Sequence, residues 1–235
     1  MTGIADPPAE NGGATWVVVP AFNEAENLPT TLALLSSRYP NVVVVDDGST
    51  DTTSDLALRH DVWCLHHIVN CGQGAALQTG VDFALHKGAS VIVTFDADGQ
   101  HSVDDIDALV RPIQDEGADV CLGSRFLGRA VGIPWTRWAV LKLGIVVTRQ
   151  LSRIKVTDTH NGLRAFSRQA ATRIRITENG MAHASEILDA ISRLGLRFRE
   201  VPVTIRYTAE SLRKGQDSWN SVRIFGQLIM TRIIR

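Results

Sequence analysis

The stretch VVVVDDGSTDTT, residues 42–53, runs from four consecutive valines into two aspartates, a glycine and a series of hydroxyl and acidic side chains. Four β-branched residues in a row make a strand, and the absence of polar alternation means that both faces are buried, as in a parallel sheet covered on each side. Asp51 and the threonines after it read as the cap and first turn of a helix. The same sequence of apolar run, polar loop and helical pattern recurs outward along the chain. Strands are expected at residues 16–19, 63–69, 91–95 and 120–123, with helices over about 74–86 and from about 102 onward. That rhythm makes an α/β protein with a mostly parallel central sheet flanked by helices.

The second half is less regular. Residues 135–152 read as a helix carrying Arg137, Lys142 and Arg149, residues 163–166 as a short strand, and 182–194 as a helix ended by Gly195. Alternation over 197–207 fits a last strand. After the polar stretch 208–217, residues 219–234 read as an amphipathic helix, with Ile224, Phe225, Leu228, Ile229 and Ile233 on a broad apolar face and Arg223, Arg232 and Arg235 around it. Such a helix suits a membrane interface, with a membrane-protein partner or a second copy of the chain as the other occupant of its face.

The chain has 235 residues, enough for one sizeable core. Its net charge of −1 hides a division: residues 1–121 carry 4 Lys/Arg against 18 Asp/Glu, and residues 122–235 carry 20 against 7. The basic half therefore points to an anionic partner, unless the halves neutralise each other across one core. The three cysteines form no CxxC pair and suit a reducing compartment. Residues 1–14 have neither the basic nor the apolar region of a signal peptide and read as a flexible arm. No apolar run reaches the ~18 residues of a spanning helix, so any membrane contact is expected to be peripheral.

In an open α/β sheet, ligands bind beyond the carboxyl ends of the strands. Polar clusters follow the first, second and fourth strands: Pro20–Glu24, Asp46–Asp51 and Asp96–His101. Asp96 and Asp98, two apart after a strand, can turn both carboxylates to one hard cation, with Gln100 adding a neutral oxygen, which suits Mg²⁺ or Mn²⁺ completed by water and phosphates. Asp46 or Asp47 can accept hydrogen bonds from a nucleobase while Phe22 packs on its face. Gly72-Gln73-Gly74 lacks the third glycine of a dinucleotide loop, and no GxxxxGK[ST] occurs. Gly74 and Gly80 are expected to let helix and loop approach the sheet or a diphosphate closely.

The segments VVVPAFNEAENL, VVVVDDGSTDTT and VTFDADGQH, followed by ADVCLGSRF, together resemble family 2 glycosyltransferases of the GT-A fold, in particular the branch of dolichyl-phosphate mannose synthases and other polyprenyl-phosphate glycosyltransferases. The resemblance spans about residues 15–207. It implies a GT-A (Rossmann-like) domain over 15–207, divided into a nucleotide-sugar-binding half, 15–123, and an acceptor-side half, 124–207, followed by an acceptor loop and the amphipathic helix over 208–235. It places Pro20, Phe22, Glu24, Asp47 and Asp96 on the nucleotide and Asp96, Asp98 and Gln100 on a Mg²⁺ or Mn²⁺ ion. It makes Asp98 and Arg125 catalytic, and gives the acceptor Arg125 and Arg137. Arg206, Arg213 and Lys214 all lie near the place of the branch's last basic cluster, with Arg206 and Lys214 taken as acceptor candidates.

The activity so implied is inverting transfer of a sugar from a UDP- or GDP-linked donor to a polyprenyl phosphate, at the cytoplasmic, inner face of the membrane. A lipid phosphate is already an anion and needs cations to hold it in line rather than a base. Transfer to a hydroxyl of a growing cell-envelope glycan is the alternative and requires a carboxylate base, for which Glu186 is the first candidate and Asp158 the next. His160 and His183 can reach a metal or phosphate but are as readily ordinary hydrogen-bonded histidines. Two more distant readings are a phosphatase using the DxD pair and a nucleotide-sugar sensor without catalysis. The basic residues are interleaved with apolar helix faces and match no nucleic-acid-binding motif.

Overall fold

The structure, a computed structural model, describes residues 14–152 and 154–207. The strands are β1 (Thr15–Ala21), β2 (Val42–Asp46), β3 (Trp63–His66), β4 (Val91–Thr94), β5 (Val120–Val131), β6 (Arg164–Ser167) and β7 (Phe198–Arg206). The helices are α1 (Leu28–Ser36), α2 (Thr53–Ala57), α3 (Gln73–His86), α4 (Ile106–Asp115), α5 (Trp135–Ser152), α6 (Arg168–Arg173) and α7 (His183–Leu194). All seven strands form one sheet in the order β3-β2-β1-β4-β6-β5-β7. Its β1–β2, β1–β4, β2–β3 and β5–β7 pairings are parallel, and β6 runs antiparallel to both β4 and β5.

Burial on both faces explains the unbroken valine runs. On one face Val17, Val19, Val42, Val44 and Val93 pack against Leu28, Leu32 and Leu35 of α1 and Ile106 and Leu109 of α4. On the other, Val18, Val43, Val45 and Ile92 meet Ala76, Leu77 and Val81 of α3 and Ile187, Leu188 and Ile191 of α7. Each of these valine, leucine and isoleucine side chains contributes on the order of 1.5–3 kcal/mol by leaving water. Gly80 lets α3 lie close, since a Cβ there would sit 2.3 Å from Val18 Cγ1 and 3.2 Å from Val45 Cγ2. Gly74 instead faces the loop before α7, where a Cβ would meet the Glu178 carbonyl.

Several expectations are revised. The third strand ends at His66 rather than at residue 69, because Ile68 and Val69 turn outward into solvent. The fifth does not stop at Gly123 but runs to Val131, held by β7 through a register shift between Ser124 and Arg129. The short α6 was not foreseen. It starts at Ser167, whose hydroxyl accepts the Ala170 N–H at 3.1 Å. Ala14, assigned to the arm, belongs to the sheet margin, its carbonyl accepting Ser90 N–H at 3.1 Å. The amphipathic helix at 219–234, the acceptor loop and the rest of the arm lie outside the described residues.

Candidate active site

The chain passes from β1 to β2 to β3 on one side and returns through α3 to β4 on the other side of β1. The loops after β1, β2 and β4 therefore converge where the strand order reverses. They line a cavity of about 400 Å³.

The first two loops are joined by hydrogen bonds. Asn23, in the left-handed region at φ 53°, donates its N–H to Ser49 Oγ at 2.9 Å and accepts Thr50 N–H at Oδ1 at 2.9 Å. Glu24 N–H donates to Thr53 Oγ1 at 2.9 Å. Asp51 accepts Thr53 N–H at 2.9 Å, as a helix-start residue should, and also accepts Ala25 N–H at 3.3 Å across the loops. Of the two adjacent aspartates, Asp46 is turned to internal work. It is fully buried and accepts from Ser49, Ser54 and His66. Asp47 lines the cavity with Pro20, Phe22 and Glu24. Its carboxylate is fixed by Cys71 N–H at 2.9 Å, Gly72 N–H at 2.7 Å and His67 Nδ1 at 2.7 Å.

The third loop carries the acidic pair. Asp96 accepts from Gln73 Nε2 at 3.1 Å and meets His101 Nε2 at 3.0 Å. Gly162 lies directly against this carboxylate, since a Cβ there would be 2.1 Å from Asp96 Oδ2. Enclosure pushes the Asp96 pKa up, but the His101 hydrogen bond and the nearby His183 and Arg164 outweigh it and leave the group below its usual value. Asp98 is pushed up to about 6 by enclosure and by the Asp96 carboxylate beside it. Gln100 bonds back to Asp98 through its N–H at 3.0 Å and its Nε2 at 2.6 Å.

Two adjacent carboxylates, one of them held above its ordinary pKa by burial and by the charge of the other, with an amide alongside, are an oxygen donor set that a hard cation relieves. Asp96, Asp98 and Gln100 therefore fit Mg²⁺ or Mn²⁺ completed by water and phosphate oxygens. β7 supports this loop from outside: Arg206 N–H donates to the Gln100 carbonyl at 2.9 Å, and His101 bridges to Ile205.

Cations from the second half of the chain share the cavity with these acids. Arg125 follows the buried part of β5 and is itself buried, its Nε donating to Asp158 Oδ2 at 2.6 Å and its NH1 to the Tyr207 hydroxyl at 2.5 Å. Arg137 on α5 stacks over the Tyr207 ring, 5.0 Å from its centroid. Both arginines line the cavity, as does His160, which burial pulls down to about 4 and so keeps neutral. Behind them Arg164 is buried with its N–H groups on the carbonyls of Asn161, Thr159 and Ala184. Burial draws its pKa down to about 10. It stays charged at neutral pH and supports Asp96 and Asp158.

The structure thus brings Pro20, Phe22, Glu24, Asp47, Asp96 and Asp98 to one cavity with Gln100, Arg125 and Arg137. It does not bring Glu186 there. That carboxylate lies outside the cavity lining and accepts the N–H groups of Thr177 and Glu178, each at 3.0 Å. Asp158 is consumed by Arg125, and His183 is buried with Nδ1 on the Gly180 carbonyl at 2.8 Å. The Arg206 side chain is exposed and absent from the lining, while Lys214 and Arg213 lie outside the described residues. Gln73, Gly162, Arg164 and Tyr207 were not foreseen as part of the site, and His101 only as the last residue of the third polar cluster. The polar run DTHNGLR in front of β6 was the available signal for two of them.

Comparison with known proteins gives a consistent picture. The family model described as glycosyl transferase family 2 matches residues 16–175. A UDP-N-acetylglucosamine–dolichyl-phosphate N-acetylglucosaminyltransferase of Methanococcus voltae is 31% identical over 93% of this chain and 96% of its own. A polyprenol monophosphomannose synthase of Mycolicibacterium smegmatis is 32% identical over 89% of this chain and 83% of its own. Among solved structures, glucosyl-3-phosphoglycerate synthase of Mycobacterium tuberculosis in complex with Mn²⁺, uridine diphosphate and its product superposes with a TM-score of 0.65. It is 21% identical, covering 84% of this chain and 73% of that one, and so shows a shared fold.

Proposed function

The chain belongs to glycosyl transferase family 2, and on that premise we propose that it transfers a hexose, with inversion, from a UDP- or GDP-linked donor to a polyprenyl phosphate at the cytoplasmic face of a membrane. The observation that carries this reading is the composition of the acceptor side. Arg125, clamped by Asp158 and Tyr207, faces the cavity beside Arg137 and neutral His160. Every acid among the described lining residues (Glu24, Asp47, Asp96 and Asp98) comes from the donor loops. Cations without a base suit an acceptor that is already ionised. The two relatives, each named for a polyprenyl-type phosphate or product, support the same choice.

In this mechanism Phe22 stacks on the base, Asp47 accepts from its N–H edge and Glu24 borders it. Asp96, Asp98 and Gln100 hold Mg²⁺ or Mn²⁺, which when bound neutralises charge on the departing diphosphate. Arg125 and Arg137 align the acceptor phosphate on the far side of the sugar, and His160 offers a neutral ring at the same wall. A phosphate oxygen forms the new bond to the anomeric carbon as the bond to the nucleoside diphosphate breaks. The membrane contact is assigned to α5, where Trp135 (80% exposed), Trp138, Leu143 and Val146 stand in solvent near Lys142. No helix among the described residues is long and apolar enough to cross a membrane.

Transfer of labelled sugar from UDP- and GDP-linked donors into extractable polyprenyl phosphate tests the reading. Asp98→Asn and Arg125→Ala should each cost about 100-fold or more in turnover, whereas Glu186→Gln should leave transfer within a few-fold. If Glu186→Gln instead abolishes turnover with donor affinity retained, the hydroxyl acceptor replaces the lipid phosphate.

A further inference from the structure

Asp47, His67 and Cys71 lie together at the edge of the cavity, each offering a ligand atom within 4.8 Å of the other two. They come from separate places in the sequence: the end of β2, the residue after β3, and the loop leading into α3. The folded chain alone brings a carboxylate, an imidazole and a thiol to one point. We propose that these three residues hold a thiophilic divalent cation such as Zn²⁺, and that the cation, by occupying Asp47, excludes the nucleotide.

The donor set separates this site from the acidic pair. Asp96, Asp98 and Gln100 offer only oxygen and suit hard cations, whereas sulfur and nitrogen with one carboxylate favour Zn²⁺ over Mg²⁺. The scaffold is already built. Asp47 is 3% exposed at its side chain and fixed by the N–H groups of Cys71 and Gly72. The backbone of Cys71 is thereby pinned while its thiol remains exposed, with only a 3.4 Å contact to the Val69 carbonyl. His67 Nε2 lies 3.0 Å from Thr79 Oγ1 on α3. On ligation the ring proton that Nδ1 shares with Asp47 is given up for one on Nε2, which Thr79 accepts, so that Nδ1 faces the metal through a hydrogen bond of the kind that orients ligating histidines.

Ligand atoms of one tetrahedral Zn²⁺ are about 3.3–3.7 Å apart, so rotation of the exposed Cys71 side chain closes the set. On ligation the thiol proton leaves to solvent, the thiolate and Asp47 balance the two charges of the ion, and the fourth position stays open to water. The site stands on the geometry; its effect on donor binding rests on the nucleotide reading of Asp47 given above.

Cobalt(II), which reports thiolate ligation by a charge-transfer absorption in the near ultraviolet, is the probe. The full chain titrated with Co²⁺ should develop that band, and Zn²⁺ should abolish it by displacement. Cys71→Ser should remove the band, and this variant keeps the backbone N–H that Asp47 uses. His67→Gln should weaken Co²⁺ binding by about tenfold or more, and Asp98→Asn should leave the band in place. UDP and Co²⁺ should each weaken binding of the other. Absence of the band in the wild-type chain, or its persistence in Cys71→Ser, overturns the site, and UDP binding unaffected by bound cobalt overturns the exclusion. Failure of the nucleotide reading shows separately, as UDP giving no thermal stabilisation with Mn²⁺ alone.

Discussion

Single residues carry the site further than their chemistry announces. Gly162 has no side chain, yet the Asp96 carboxylate occupies the space a methyl group would need. Gly162→Ala should push Asp96 aside and weaken Mn²⁺-dependent donor binding by about 10–100-fold, read by calorimetric titration. Unchanged affinity would mean that Asp96 does not face the cation. His160 supplies a pH signature. Burial lowers its pKa from 6.5 to about 4, so between these values the unfolded chain binds a proton that the folded chain refuses. Stability therefore falls as pH falls through that window, by up to roughly 3 kcal/mol. Thermal melting from pH 7 to 4.5 should show a shallower loss in His160→Gln than in the parent, and parallel curves would refute the assignment. The place of Asp96, Asp98 and Gln100 on the cavity was legible in the sequence because polar residues directly after a strand of an open α/β sheet stand at its ligand-binding edge. Gly162 and Tyr207 were not, since each meets its partner across a long stretch of sequence, 68 residues from Thr94 to Gly162 and 82 from Arg125 to Tyr207.

At the scale of elements, the strands buried on both faces were plain from their valines, and the errors fall where burial changes along a strand. β5 is buried from Val120 to Arg125 and then emerges, so composition ceased to mark it while pairing to β7 continued. α6 is only six residues long, too short to display a period. Gly80 measures how tightly α3 seats on β1 and β2. Gly80→Ala places a methyl group against Val18 and Val45 and should cost about 1–3 kcal/mol. A lower urea midpoint with an unchanged slope would report that loss, and an unshifted midpoint would mean that α3 has slack the packing does not show.

For the whole molecule, the opposition of an acidic and a basic half has two parts. Some of it is internal: Arg175 meets Asp82, Arg197 meets Asp119 and Arg199 meets Glu116 across the division, surface pairs that solvent screens. Another part lies at the cavity, where the carboxylates of Glu24, Asp47, Asp96 and Asp98 share the lining with Arg125 and Arg137. The apolar side chains of α5 lie beside that cationic wall. Replacing Trp135 and Trp138 together by Ser should reduce co-sedimentation with anionic phospholipid vesicles by about tenfold or more, and undiminished sedimentation would move the membrane contact elsewhere.

β7 braces both sides of the cavity, through Arg206 N–H on the Gln100 carbonyl and through the hydroxyl of the tyrosine that follows it on Arg125. During synthesis the loops after β1, β2 and β4 are made long before this strand is. The Gln100 loop therefore lacks its brace, and Arg125 one of its two clamps, until nearly all of the described chain has been made.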